Sequence, residues 1–224
     1  MRMPQPFMIR ALIFDLDNCL ASAKEVGTEL YEPAFAAIRS ANHGTVPEDK
    51  LQQAFADVWQ HPFDWVATRY GFSEEMLTAG WRKLKTVEVT RPLHGYRDLS
   101  ILAELEAQRF LVTSGFRRLQ KSKIKALNLS SLFTAIYVDA IDDPDRLGKA
   151  MLFRRIMEEF ALATPEILIV GDNADSEIEA GNRLGIKTVQ ILRPGVSQAS
   201  NATFHIYSLA DLDKLLTCSR TDEA

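Results

Sequence analysis

Two aspartates one residue apart, Asp15 and Asp17, close the apolar run Ala11-Leu12-Ile13-Phe14. Such a run reads as a buried strand, and carboxylates at its end cost several kcal/mol unless something compensates them. The pair points to a metal, a proton-transfer task, or both; a structural turn would tolerate Asp-x-Asp-Asn equally well. In an open parallel sheet, ligands bind beyond the carboxyl ends of the strands, so other strand ends should also carry chemistry. They do. The run Phe110-Leu111-Val112 leads into Thr113-Ser114-Gly115, two hydroxyls and a glycine. The run Ile167-Leu168-Ile169-Val170 leads into Gly171-Asp172-Asn173-Ala174-Asp175-Ser176-Glu177, a glycine and an acidic cluster. Between them, Gly148-Lys149 brings a cation to the start of a helical pattern. Each has a plain structural alternative: Thr113 and Ser114 as a helix cap, Lys149 as a solvated lysine, Gly171-Asp172-Asn173 as a turn.

The elements that must position these residues follow from periodicity. Strands are expected at 11–14, 110–112, 135–138, 167–170 and 188–191, short, apolar and largely β-branched or aromatic. Helical patterns alternate with them from Tyr96 onward, carried by Leu99, Leu102 and Leu105, then Leu119, Ile124 and Leu127, then Leu152, Ile156 and Phe160, then Ile178 and Leu184. Alternation of this kind implies an α/β, Rossmann-like parallel sheet with helices on both faces. Residues 24–91 break it. Successive helices are expected at 34–41, 47–60, 63–70 and 73–85, with no buried strand, Pro47-Glu48-Asp49 suiting a helix start. The expected division is therefore a core of residues 1–23 and 92–224 and an inserted, all-helical cap of residues 24–91. All the tryptophans, Trp59, Trp65 and Trp81, lie in the insertion and are expected to fill its core.

At 224 residues the chain can bury a sizeable core, and a net charge of −4 argues against broad capture of nucleic acid. Cys19 and Cys218 sit near opposite ends without metal-like spacing, which suits a reduced, cytoplasmic protein. Residues 1–8 contain no signal-like apolar core, and no apolar run approaches membrane-spanning length, so no membrane association is expected. The polar stretch after Leu216 reads as a frayed end. A monomer and a homodimer both fit.

Asp15-x-Asp17, Thr113, Lys149 and the Gly171–Glu177 acids, in this order and with a helical insertion after the first strand, resemble the haloacid dehalogenase superfamily. Its members are mostly magnesium-dependent phosphatases. The resemblance implies that Asp15 attacks phosphorus to form an aspartyl-phosphate and that Asp17 protonates the leaving alcohol, then deprotonates water. In an extended strand residues i and i+2 share a side, which would turn both carboxylates toward one phosphoryl group. Thr113 matches the hydroxyl that hydrogen-bonds a phosphoryl oxygen, and Ser114 and Gly115 would let backbone N–H groups at a helix start approach the phosphate. Lys149 matches the cation that neutralises Asp15 and the phosphoryl group. Asp172 matches the acid that holds Mg2+ with the Asp15 carboxylate and the Asp17 carbonyl, while Asp175 and Glu177 would orient metal-bound waters.

The match departs in three places. Asn18-Cys19 stand where Gly-Thr is common, and Cys19 reads as a small buried residue. Ala150 follows the lysine where proline is common, leaving Arg146 and Arg154 as alternative cations. Glu177 stands where aspartate is commoner. Dehalogenases of the same fold need no metal and usually lack the second aspartate, so Asp17 favours phosphoryl chemistry. The function the resemblance implies is hydrolysis of a small phosphorylated metabolite. The alternatives are 2-haloacid dehalogenation, phosphosugar transfer, and non-catalytic binding of a phosphorylated ligand. His61, Trp65, Arg69, Tyr70 and Arg82 are candidates to read a leaving group. Arg117, Arg118, Lys121, Lys123 and Lys125 read as a solvated helix face.

Overall fold

A computed structural model of the chain describes residues 8–221, with side chains to residue 216. Its strands are β1 (Ala11–Phe14), β2 (Gln108–Gly115), β3 (Ala135–Ala140), β4 (Ile167–Gly171), β5 (Lys187–Ile191) and β6 (Phe204–Ile206). They form one all-parallel sheet in the order β3-β2-β1-β4-β5-β6. The chain lays strands outward from β1 in one direction, then crosses back to lay β4, β5 and β6 in the other. The β1/β4 boundary is therefore the topological switch point, where an open α/β sheet leaves a crevice at its carboxyl edge.

The helices are α1 (Glu32–Ala41), α2 (Glu48–Asp57), α3 (Phe63–Arg69), α4 (Glu74–Leu84), α5 (Arg117–Ala126), α6 (Lys149–Glu159), α7 (Glu179–Arg183) and α8 (Asp211–Thr221). The two faces of the sheet sort by strand parity. Ala11 and Ile13 join Phe110, Val112, Ile167 and Ile169 against Leu152, Phe153 and Ile156 of α6. Leu12 and Phe14 join Leu111, Leu168 and Val170 in the larger cluster, with Leu119 and Ile124 of α5 and Leu212 of α8. Helices α1 to α4 lie between β1 and β2 and continue that larger cluster through Phe35, Ile38, Leu51, Phe55 and Met76.

Several expectations change. The Leu99, Leu102, Leu105 segment is a 3-10 helix over Leu99–Ala103 rather than an α-helix. The sheet has a sixth strand, β6, reached from β5 without a helical crossover, and α8 follows it. Trp59 is buried, Trp81 packs on Phe63 and Phe116, but Trp65 is 40% exposed and stacks on His61 instead of filling the bundle. Among the described residues no helix is long and apolar enough to cross a membrane. The expectation of a signal-free amino terminus falls, apart from Met8, outside the described residues. Helix α8 runs to Thr221, through the stretch expected to fray; the Cys218 side chain and residues 222–224 lie outside those described.

One buried ion pair ties the loops at the sheet's carboxyl edge together. Arg193, just past β5, donates through Nη1 and Nη2 to both oxygens of Asp98 at 2.9 Å, and through Nε and Nη2 to the Cys19 carbonyl. Ser208 Oγ and the Leu209 N–H also donate to Asp98. Burial opposes ionisation of Asp98, but these donors outweigh it and hold its carboxyl below the ordinary aspartate range. Asp98→Ala leaves the guanidinium buried without a counter-charge and should cost about 3–5 kcal/mol. The urea midpoint should fall at unchanged m-value. Because the folded-state pKa is lowered, the advantage of wild type over the variant is complete above the ordinary aspartate pKa. It shrinks as pH falls through the lowered one.

Candidate active site at the carboxyl edge of the sheet

Asp15 follows Ala11 and Ile13 in parity and so faces α6, whose first residue is Lys149. Lys149 Nζ lies 2.6 Å from Asp15 Oδ1 and 2.7 Å from Glu177 Oε2. Glu177 Oε1 accepts the Asn173 N–H at 2.7 Å, so both of its oxygens are engaged. Gly171 makes this possible: a Cβ there would sit 2.3 Å from Glu177 Cγ and Oε1. One carboxylate oxygen from each of Asp15, Asp172 and Glu177 can be chosen so that all lie within 4.8 Å of one another.

These are like charges in a dry place. Burial, reinforced by Glu177 and Asp17 against the opposing Lys149, pushes Asp15 up to about 7. Burial and then Glu177 and Asp15 push Asp172 well above the ordinary aspartate range. Desolvation opposes the Lys149 charge, yet Asp15 and Glu177 hold it above the usual lysine range. A group of hard oxygen donors with more negative charge than one lysine can offset fits a small divalent cation such as magnesium.

Asp17 lies beyond the end of β1 and takes different partners. Its carboxylate pairs with Lys123 Nζ of α5 at 2.8 and 3.0 Å and accepts from Gln120 Nε2 at 2.9 Å. The same Gln120 nitrogen is 2.6 Å from Thr113 Oγ1 and 3.1 Å from the Ser114 carbonyl. Desolvation opposes the Lys123 charge, but Asp17 keeps it above its ordinary range. The two carboxylates thus flank the crevice, Asp15 held toward α6 and Asp17 toward α5. The expected same-side stacking needs extended backbone through Asp17, and β1 ends at Phe14. Lys123, read from the sequence as part of a solvated face, is 5% exposed. Gln120 belongs to no motif at a strand end in the sequence. Gly115, at φ 148°, lets the Gln120 side chain lie against it; a Cβ would stand 3.2 Å from Gln120 Cγ and Cδ.

A cavity of about 100 Å³ gathers Asp15, Asp17, Thr113, Ser114, Gly115, Lys149, Asp172 and Glu177. Thr113 and Ser114 do not cap α5: the capping position is Phe116, with no side-chain bond to the helix. Ser114 Oγ instead donates to Asp139, and Ser114 and Gly115 belong to β2, paired with Asp139 and Ala140, rather than to a helix start. Asp175 is exposed and outside the carboxylate cluster. Of the alternative cations, Arg146 bridges Asp139 and Asp64 of α3, and Arg154 is exposed on α6; Lys149 holds the central place. Cys19 is fully buried, and burial raises its thiol pKa well above the ordinary range. From the insertion, Trp59, His61 and Phe63 line the cavity and Trp65 an adjoining cleft. Arg69, Tyr70 and Arg82 line neither; Tyr70 donates its hydroxyl to Asp57.

The family model for haloacid dehalogenase-like hydrolases matches residues 12–191. N-acylneuraminate-9-phosphatase of Rattus norvegicus is 25% identical over 233 aligned positions, covering 93% of this chain and 94% of that protein. Glyceraldehyde 3-phosphate phosphatase of Methanocaldococcus jannaschii is 23% identical, covering 93% of this chain and 96% of its own length. Among solved structures, a haloacid dehalogenase-type (HAD) phosphatase from Thermococcus onnurineus superposes with a TM-score of 0.64 at 20% identity, over 92% of this chain and 97% of that one. The structural likeness bears on the fold alone. The family match, running from β1 to the end of β5, takes in every strand end that carries a candidate residue. The chain belongs to the haloacid dehalogenase-like hydrolase family.

Proposed function

We propose that this chain is a Mg2+-dependent phosphatase that hydrolyses a small phosphorylated metabolite through an aspartyl-phosphate on Asp15. The observation that carries the reading is two carboxylates around one cavity with separate cationic partners, Asp15 beside Lys149 and Asp17 beside Lys123. A structural ion pair needs one acid and one base; two such pairs converging on a crevice at the switch point provide a nucleophile and a proton carrier. The phosphatase relatives support the same class of chemistry.

In the first half-reaction an Asp15 oxygen attacks phosphorus, the bond to the leaving oxygen breaks, and Asp17 gives that oxygen its proton. In the second, water attacks the phosphorus of the aspartyl-phosphate, its proton passes to Asp17, and the Asp15 carboxylate leaves as phosphate is released. The Asp17–Lys123 ion pair corresponds to the ionised Asp17 between the two steps. Lys149 offsets charge on Asp15 and the phosphoryl group, and Thr113, Ser114 and Gly115 would contact phosphoryl oxygens. Mg2+ would be held by Asp15, Asp172 and the Asp17 carbonyl, and when bound would neutralise phosphoryl charge. Glu177, both of whose oxygens are already engaged, would brace Lys149 and the turn after β4; Asp175 is too exposed to share that task. Residues 24–91 would act as a cap over a core of residues 1–23 and 92–224, with His61 and Trp59 nearest the leaving group. A cytoplasmic monomer or homodimer, free of nucleic acid and membrane, completes the reading.

Asp15→Asn should abolish turnover of p-nitrophenyl phosphate, by at least about 10³-fold, with an unchanged circular dichroism spectrum. Near wild-type turnover in that variant sinks the reading, as does metal-independent chloride release from 2-chloropropionate by the wild type. Substrate identity is then addressed by a panel of phosphorylated sugars, sugar acids and short aldehydes, including N-acylneuraminate 9-phosphate and glyceraldehyde 3-phosphate.

Magnesium should also stabilise the fold, since it relieves repulsion among buried carboxylates. At a concentration about 100 times its dissociation constant, the gain should approach about 2.7 kcal/mol. That gain, measured as an upward shift in melting temperature without substrate, should disappear in Asp172→Asn, and a chelator should remove both the shift and the activity of the wild type.

A further inference from the structure

We propose that Lys123 and Gln120 of α5 are positioning residues that hold Asp17 in place to activate the water that cleaves the aspartyl-phosphate. The inference rests on the phosphatase reading above and goes beyond it by assigning work to a helix outside the catalytic strand ends.

Proton counting fixes the arrangement. Gln120 Nε2 faces three oxygen acceptors: Asp17 Oδ2, Thr113 Oγ1 and the Ser114 carbonyl. Turning the amide over would set its own oxygen against a carboxylate and a carbonyl, neither of which has a proton to offer. The NH2 group therefore faces them. Its two protons go to the nearer acceptors, Thr113 Oγ1 at 2.6 Å and Asp17 Oδ2 at 2.9 Å, with the Ser114 carbonyl at 3.1 Å a secondary contact. This leaves the Thr113 hydroxyl its own proton for a phosphoryl oxygen. Lys123 Nζ bonds both Asp17 oxygens, so the carboxylate is gripped from one side and its remaining lone pairs are left for the cavity.

Stability alone does not account for these residues. Burying an ammonium is costly, and a buried ion pair is often no more stabilising than apolar side chains of similar size. Helix α5 offers solvent positions for its other cations, with Arg118, Lys121 and Lys125 all exposed. Lys123 and Gln120 are instead 5% and 1% exposed, directly beneath Asp17 and Thr113. In the step they serve, water oxygen bonds to phosphorus and the bond from phosphorus to the Asp15 oxygen breaks. The water proton goes to Asp17, which Lys123 and Gln120 keep aimed at it.

The test uses the full-length enzyme with Mg2+ and phosphate-labelled 2,4-dinitrophenyl phosphate, whose phenolate departs without needing a proton. In Lys123→Met the steady-state rate should fall by ~10-fold or more. A burst of about one dinitrophenolate per enzyme should precede it, and label should accumulate on acid-quenched protein. Lys123→Arg, which restores charge and donors, should recover most of the rate. Gln120→Leu should accumulate the labelled protein too, with a slower burst because Thr113 loses its orienting donor; it decides the matter if Lys123→Met does not fold. An unchanged rate, or a burst and steady state that fall together without accumulation, overturns the proposal. A wild type that releases no dinitrophenolate and takes up no label overturns the phosphatase reading instead.

Discussion

The organising constraint of this molecule is a charge imbalance at the sheet's carboxyl edge. Asp15, Asp172 and Glu177 crowd together, and among the described residues Lys149 is the single cation bonded into that group. A protein interior does not tolerate this by itself, because each uncompensated carboxylate forfeits its hydration. The surrounding structure serves to hold the imbalance in place. Apolar strands β1 and β4 fix Asp15 and Asp172 in adjacent registers, paired Phe14 to Val170, with the Asp15 N–H bonded to the Val170 carbonyl. Gly171 gives Glu177 room to fold back, and Asn173 caps the following π-helical turn while donating to the same carboxylate. What the fold stores here is an affinity for positive charge.

Strand parity then divides the site into two independent supports. Residues facing α6 deliver Asp15 to Lys149, and residues facing α5 deliver Thr113 to Gln120. Asp17, released from the strand's alternation, swings to the α5 side and meets Lys123. The two carboxylates one residue apart consequently do not share a cation. Each carboxylate therefore has its own charged surroundings within one crevice.

Much of this was legible in the sequence, because strands buried on both faces announce themselves as short apolar runs and chemistry collects at their ends. Asp15, Thr113 and Asp172 stand where that rule points, and Lys149 opens a helical pattern between them. Lys123 and Gln120 were not legible in that way, because a lysine on a helix is ordinarily solvated and the helix carries five basic residues, Arg117, Arg118, Lys121, Lys123 and Lys125. A signal was nonetheless present. Leu119, Lys123 and Leu127 are four apart, as are Gln120 and Ile124, so both polar residues fall on the apolar stripe of α5. A polar side chain on a stripe that must be buried needs a partner, and the nearest strand end supplies one. β6 escaped for a different reason: at three residues, Phe204-His205-Ile206 is too short for periodicity to register, and its existence depends on an edge to pair with.

Helices α1 to α4 and the loops that join them meet the rest of the chain through contacts of two strengths. Phe116, which opens α5, packs against Phe63 and Trp81, making an apolar joint continuous with the main core. Nearer the crevice the links are polar and partly wet. Asn18 donates to the Trp59 carbonyl, Asn173 to the Gln60 carbonyl, and Arg146 pairs with Asp64 where both side chains remain about a third exposed, at 28% and 37%. Exposed pairs of that kind are worth roughly 0.2–1 kcal/mol, far less than burial of an aromatic face. The joint and the clamp share one helix: α5 starts just after Phe116 and carries Gln120 one turn later and Lys123 two turns later, both bonded to Asp17. The contact that joins these helices to the core and the side chains that hold Asp17 thus lie on one structural element.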